Sequence, residues 1–331
     1  MKRSNHLRRK VVVSAPGKLM LFGEHSVVYG RPCIVTAVDE RMRVTVEKIS
    51  GDLIIVDAPD LGIKHFTLKM NEIGKKEFPK GVSFVLGTIK NFYKIYKVKS
   101  GLKIKTKSEF SSLFGFGSSS AVTICMVKAL SKIFDVQVSD KDMFDMAYKS
   151  VLDVQGVGSG FDVAAAIWGG TIYFEGWGKV IVPLKTRGLP LTVGYTGIKA
   201  DTATLIRQVG KLYKSKKGYV DDIFDSIDKI VKRARKAFEK SDFKQLGVLM
   251  NEDQELLKYL GVSSKELDNL IGAAIEAGAY GAKLSGAGGG DCMIAFSDDK
   301  YVSAVKKQIT MKGGTIINVK TGAEGVRVES V

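Results

Sequence analysis

The chain is poor in the residues that would place it in a membrane, a disulfide scaffold or a metal cluster. No apolar run approaches the ~20 residues that a bilayer-spanning helix needs. Cysteine occurs only as Cys33, Cys125 and Cys292, an odd number set far apart. No disulfide framework or Cys-x-x-Cys site can be built from them, and a reducing compartment is expected. The histidines, His6, His25 and His65, have no ligand spacing. The basic start through Lys10 is followed only by Val11-Val12-Val13, too short for a signal-peptide core. These absences lead to the expectation of a soluble, cytoplasmic protein without a membrane partner. Acidic residues are also short, 35 against 51 lysines and arginines, for a net charge of +16. That excess suits nucleotides and phosphorylated metabolites, and equally nucleic acid. The lysines are spread along the whole chain with no arginine-rich tail and no aromatic-basic ladder. A solvated basic surface is therefore favoured over a nucleic-acid groove.

Glycine, by contrast, is concentrated where it can do chemistry. In Leu113-Phe114-Gly115-Phe116-Gly117-Ser118-Ser119-Ser120-Ala121, two glycines allow a tight turn and three hydroxyls follow, leading into good helix formers. A helix N-terminus behind such a loop attracts anions, phosphate above all, and its serines can cap the helix or reach a phosphate-bound Mg²⁺. It is not a Walker loop, because no Gly-Lys-Ser/Thr occurs in it. The bland alternative is a capped helix behind a glycine turn. A second glycine-rich turn, Gly156-Val157-Gly158-Ser159-Gly160-Phe161-Asp162, enters a short alanine-rich helix, Val163–Trp168, where Asp162 reads either as an N-cap or as a functional acid. A third, Ser285-Gly286-Ala287-Gly288-Gly289-Gly290-Asp291-Cys292, lies between strand-like runs.

Taken in order, residues 11–14 read as a strand broken by Ala15-Pro16-Gly17-Lys18, with Leu19–Phe22 following. Ile34–Val38, Met42–Ile49, Leu53–Val56, Phe66–Leu68 and Gly101–Lys107 are further strands, and Val82–Tyr96 is an amphipathic helix. Ser139 caps another helix, with Asp140 and Asp142 in its first turn. The character changes near 184–190, which divides the chain into expected domains 1–186 and 187–331. Beyond a strand at Leu191–Tyr195 and a helix at Ala203–Tyr213, Lys214–Gly218 reads as an exposed basic linker. Val220, Ile223, Phe224, Ile227, Ile230, Val231, Ala234 and Phe238 then form one apolar stripe. Two more helices, a helix over 299–310 and strands near Thr315–Val319 and Gly325–Val328 lead to the expectation of an α+β second half closed by the late strands.

Ala15-Pro16-Gly17-Lys18…Gly23-Glu24-His25, Gly115-Phe116-Gly117-Ser118-Ser119-Ser120-Ala121 and Ser285-Gly286-Ala287-Gly288-Gly289-Gly290 resemble, in order, the three motifs of the GHMP kinases. These are the galactokinase, homoserine kinase, mevalonate kinase and phosphomevalonate kinase relatives. The resemblance implies a two-domain α+β GHMP kinase fold, with a ribosomal-S5-like N-terminal half and a ferredoxin-like C-terminal half. It implies ATP and Mg²⁺ in the cleft between them. It assigns Lys18 and Asp162 to catalysis. Gly115, Phe116, Gly117, Ser118, Ser119 and Ser120 would hold the ATP phosphates, with Ser119 as Mg²⁺ ligand. Glu24, His25, Thr202, Gly286, Ala287 and Gly288 would lie against the substrate. The opening Gly23-Glu24-His25-Ser26-Val27-Val28-Tyr29-Gly30 is most similar to mevalonate kinases. Gly158-Ser159-Gly160-Phe161-Asp162 and Gly288-Gly289-Gly290-Asp291-Cys292 are more like phosphomevalonate kinases. Where many mevalonate kinases carry a Mg²⁺-binding glutamate, this chain has Val151, and Asp153 falls elsewhere around the helix.

The expected activity is phosphorylation of the 5-hydroxyl of mevalonate, with phosphomevalonate kinase as the alternative and a basic nucleic-acid-binding protein as a distant third. The expected partners are ATP and mevalonate, without nucleic acid; a homodimer is compatible with this. Phosphoryl transfer needs mainly positioning and charge neutralisation, which glycine loops, a lysine and an aspartate supply. A glycosidase or a metalloenzyme would leave three glycine loops without a role.

Overall fold

The computed structural model describes residues 9–75, 78–186 and 188–330; His6 and most of the basic start lie outside them. Strand β1 (Lys10–Phe22) runs unbroken through the Ala-Pro-Gly-Lys stretch that reads as a break. A register shift between Pro16 and Gly17 absorbs the proline, so Pro16 pairs with Arg41 but Gly17 with Val38. A bulge can accommodate a residue that has no N–H for the ladder. Strand β2 (Cys33–Ile49) is likewise continuous and fuses two segments that look separate in sequence.

Strands β3 (Leu53–Ala58) and β4 (Ile63–Lys69) form a hairpin, followed by α1 (Lys80–Tyr96) and β5 (Gly101–Ser108). Helices α2 (Ser118–Ile133), α3 (Asp140–Gln155) and α4 (Phe161–Trp168) come next, then β6 (Thr171–Glu175) and β7 (Val180–Leu184), the last not visible in sequence. These strands make one sheet, ordered β4-β3-β5-β2-β1, with β6 and β7 added beyond the first residues of β2. The long β2 takes β5 as partner over Met42–Ile49 and β6 over Cys33–Thr36. Helix α2 packs on β1 and β2 and against α1 and α3, which also touch each other.

A smaller sheet follows. It uses β8 (Leu191–Tyr195), β9 (Ala279–Ser285), β10 (Cys292–Ser297) and β11 (Thr315–Ile317), all antiparallel, in the order β11-β8-β10-β9. Between β8 and β9 run α5 (Thr202–Ser215), α6 (Lys217–Glu239), α7 (Phe243–Tyr259) and α8 (Lys265–Glu276); α9 (Asp299–Met311) follows β10. The expected linker at 214–218 is helical except at Lys216, whose φ of −136° and ψ of 55° separate α5 from α6. An ion pair from Lys217 to Asp221 one turn later supports the start of α6. The α6 stripe is buried throughout. It packs on α7 and reaches across to β1, β2 and β7, where Phe238 meets the Phe22 ring edge-on at 6.4 Å.

The last strand, β12 (Arg327–Ser330), does not close the second half as the sequence suggests. It crosses back and pairs with β1 at the edge of the first sheet. Buried Arg41 explains the return. Its guanidinium donates to the carbonyls of Glu324 at 2.8 Å, Gly325 at 2.7 Å and Ser14 at 3.1 Å. A desolvated cation needs such acceptors, and the C-terminal segment supplies two of them.

Candidate active site

The glycine-serine loop is shaped by left-handed backbone at Gly115 (φ 69°) and Gly117 (φ 79°), the latter being the N-cap of α2. Ser118, Ser119 and Ser120 form the first helical turn, whose amides lack intrahelical carbonyls and whose dipole end is positive. Ser118 and Ser119 are half-buried, whereas Ser120 is fully buried and donates from Oγ to Asp162 Oδ2 at 2.8 Å. Ser120 is thus turned away from the loop mouth and toward the acid. Phe116 offers only its backbone; its ring is core, packed between Phe110 and Phe114.

Lys18 enters from β1. Its backbone amide donates to Phe116 O at 3.0 Å and its Nζ to Gly115 O at 2.9 Å, so strand and loop are fastened together. The ammonium lies 5.3 Å above the Phe161 ring. Burial lowers its pKa; the charges of Asp162, Asp291 and Glu24 oppose that, and Lys199 adds to it. Asp162 comes from the start of α4. It is not the N-cap, since Gly160 occupies that position with φ 89°. The aspartate is the second residue of the helix, where its Oδ1 accepts from Val163 N at 3.2 Å and its Oδ2 from Ser120. The three pieces meet at Gly117. A Cβ there would lie 3.3 Å from Lys18 Cγ and 3.6 Å from Asp162 Cβ, so the side chains close in on a residue whose φ of 79° itself favours glycine.

A second set of contacts joins the two sheets behind this point. Ser285 Oγ accepts from Met20 N at 3.1 Å and donates to Met20 O at 2.9 Å, stitching β9 to β1. His25, held at φ 60°, bonds through Nε2 to Ala287 O at 2.9 Å. A carbonyl partner requires the proton on Nε2, which leaves Nδ1 as the acceptor of the neutral ring. Burial lowers the imidazole's pKa and favours that neutral form, with the Ala287 carbonyl and Glu24 opposing it.

Glu24 departs from its expected place against the substrate. It is fully buried and its Oε1 is bonded to Lys283 Nζ, itself fully buried on β9. Asp253 of α7 completes the group with Oδ2 3.5 Å from the same ammonium. Burial pushes the Asp253 carboxyl up to about 7, with Lys283 opposing and Glu24 reinforcing. Of the third glycine loop, Gly286 faces open space at φ 100°, and Ala287 lends its carbonyl to His25. Gly288 is a packing residue, since a Cβ there would fall 2.0 Å from Val262 O. Thr202 is exposed at the first turn of α5, and Leu205 of that helix touches Gly289.

Sequence reasoning missed Lys283, Asp253, Lys199 and Asp291 as members of this region. Asp291 alone carried a signal, as an acid directly after a glycine run. Val151 is buried, and Asp153 pairs with Lys149 and Asn91. No cluster of three or more His, Cys, Asp or Glu side chains able to hold a metal occurs among the described residues. Ser119, half-buried in the first turn of α2, offers one hydroxyl to a Mg²⁺ ion that keeps phosphate and water as its other ligands.

Comparison with known proteins shows that the chain belongs to the GHMP kinase family. Models of the GHMP kinases N terminal domain and the GHMP kinases C terminal region match residues 83–170 and 234–313. The mevalonate kinase of Thermococcus sibiricus is 35% identical, covering 97% of this chain and 99% of its own. The crystal structure of Methanococcus jannaschii mevalonate kinase superposes with a TM-score of 0.77 at 28% identity, covering 96% of this chain and 99% of that one. Streptococcus pneumoniae phosphomevalonate kinase, bound to phosphomevalonate and AMPPNP, superposes with a TM-score of 0.77 over 94% of this chain and 99% of its own. Its identity is 20%, a likeness of fold alone.

Proposed function

We propose that the chain, which belongs to the GHMP kinase family, works as a mevalonate kinase, moving the terminal phosphoryl group of ATP onto the 5-hydroxyl of mevalonate. The observation that carries the chemistry is the meeting of Lys18, Asp162 and the glycine-serine loop around Gly117. The ATP phosphates lie along the amides of Ser118–Ser120, where the helix end favours negative charge. Lys18, fixed by Gly115 O, offsets charge on the transferred group. Asp162, oriented by Ser120, holds the acceptor hydroxyl in line and takes its proton once bonding to phosphorus has made it acidic. Neutral His25 presents Nδ1, an acceptor suited to a substrate hydroxyl rather than to a carboxylate. Mg²⁺, held by Ser119, would neutralise phosphate charge when bound.

Mevalonate and ATP are then the partners, in a cytoplasmic setting; no described helix is long and apolar enough to cross a membrane. A domain division between 186 and 187 remains part of this reading, with β12 paired to β1 of the first sheet. The test is ADP release coupled to a reporter, with mevalonate and 5-phosphomevalonate supplied separately. Turnover with mevalonate is expected, and turnover only with the phosphorylated compound would overturn the assignment.

A further inference from the structure

Asp291 has no part in the mechanism above, yet three loops converge on it. It is 4% exposed and holds φ 54°, a left-handed backbone that an aspartate enters only when its surroundings hold it there. Its Oδ1 accepts from Ala200 N at 3.0 Å and from Lys199 Nζ at 3.1 Å. Its own amide donates to Ile198 O at 2.8 Å, and its carbonyl accepts from Thr196 N at 3.0 Å. The loop from β8 to α5 is therefore gripped from both ends of one residue. On its other side the carboxylate is seated against the phosphate loop, since a Cβ at Gly115 would come within 2.6 Å of Asp291 Oδ2. The next residue continues the grip: Cys292 Sγ lies 3.4 Å from Phe114 O, and Phe114 packs on Tyr195 of β8. Gly115 is the residue whose carbonyl anchors Lys18.

We propose that Asp291 is a positioning residue for the nucleotide. Its carboxylate, wedged between Gly115 and the Lys199–Ala200 turn, sets where the Gly115–Ser120 loop stands relative to the second sheet. This rests on the kinase reading above. An acid that served only as packing would be replaced by glycine at little loss, because φ 54° suits glycine better than aspartate.

The experiment compares wild type, Asp291→Gly and Asp291→Asn by calorimetric titration with MgADP, steady-state kinetics and thermal melting. Asp291→Gly should melt within about 3 °C of wild type, relief of the backbone offsetting the lost hydrogen bonds. It should bind MgADP about tenfold more weakly and raise KM for ATP to match, with KM for mevalonate changed by less than about twofold. Asp291→Asn keeps an acceptor for Ala200 N and tolerates the left-handed backbone, so it should stay within about threefold of wild type. Glycine-variant binding equal to wild type overturns the proposal, as does a loss that merely follows the melting temperature. An asparagine variant no better than the glycine one also overturns it, because the bond from Ala200 would then place nothing. If wild type binds MgADP but leaves mevalonate untouched, the acceptor assignment fails, while the titrations still decide the role of Asp291.

Discussion

Lys18 and Lys283 are both strand lysines withdrawn from solvent, at 8% and 0% exposure, and both lie in the field of Glu24. Their surroundings make them opposites. Lys18 is bonded to a neutral carbonyl, and its carboxylates act on it from a distance. Its charge remains available to an arriving phosphate. Lys283 sits between Glu24 and Asp253 in a dry interior, and its charge is consumed there. A buried lysine is thus a reagent or a rivet according to whether its acids touch it.

The largest expected effect sharpens the Lys18 side. Asp162→Asn should lower kcat by about 10²–10⁴ while leaving nucleotide affinity nearly intact. Melting should change little, because asparagine keeps a side-chain oxygen to accept from Val163 N. A variant that keeps most of its turnover would remove Asp162 from the mechanism. Next comes the lysine pair itself. Lys283→Met leaves the fully buried Glu24 without its counterion and should cost about 3–5 kcal/mol of stability. Lys18→Met should cost about 1–3 kcal/mol, the penalty for one unpaired carbonyl, and lose turnover far beyond that. Denaturant unfolding and kcat on both variants would break the comparison if the stability losses came out equal.

These two lysines also mark what the chain declares and what it conceals. Lys18 was legible because it follows Ala15-Pro16-Gly17, and the glycine loops were legible because their φ values demand glycine. Lys283 in Ala-Tyr-Gly-Ala-Lys-Leu-Ser looks like any strand lysine. Asp253 sits in Asn-Glu-Asp-Gln-Glu, which reads as a solvated helix face. Their pairing spans loop, helix and strand, and no local pattern carries it. The continuous β1 was hidden for a different reason. Proline-glycine signals a break unless a neighbouring strand supplies the compensating bulge, and that neighbour is known only from the sheet.

A smaller effect tests the buried group by pH. Asp253 has its carboxyl pushed up to about 7 in the folded protein, against about 3.8 in an unfolded chain. The folded state therefore holds this proton more tightly. The resulting stability is present at low pH and is lost as pH rises toward 7. Asp253→Asn, locked in the neutral shape beside Lys283 and Glu24, lacks that slope. The melting advantage of wild type over the variant should shrink between pH 5 and pH 8, by on the order of 1 kcal/mol per unit below 7. A gap that widened instead would place the proton elsewhere. The smallest effect concerns Ser119→Ala, which should raise the Mg²⁺ concentration for half-maximal rate several-fold with little change in stability. An unchanged Mg²⁺ dependence would move the ligand role to Ser118.

The return of β12 to β1 has a consequence for synthesis. The first sheet is built largely from residues 10–184, yet its edge is completed by residues 327–330, more than a hundred positions later. Until residues 324 and 325 emerge, the guanidinium of Arg41 lacks two of its carbonyl acceptors and β1 presents an open edge. A nascent chain therefore carries a nearly finished first sheet that cannot be sealed, and which is most exposed to edge pairing with its neighbours while it is still being made. Emergence of residues 324–330, rather than completion of either half, is the step that closes this sheet.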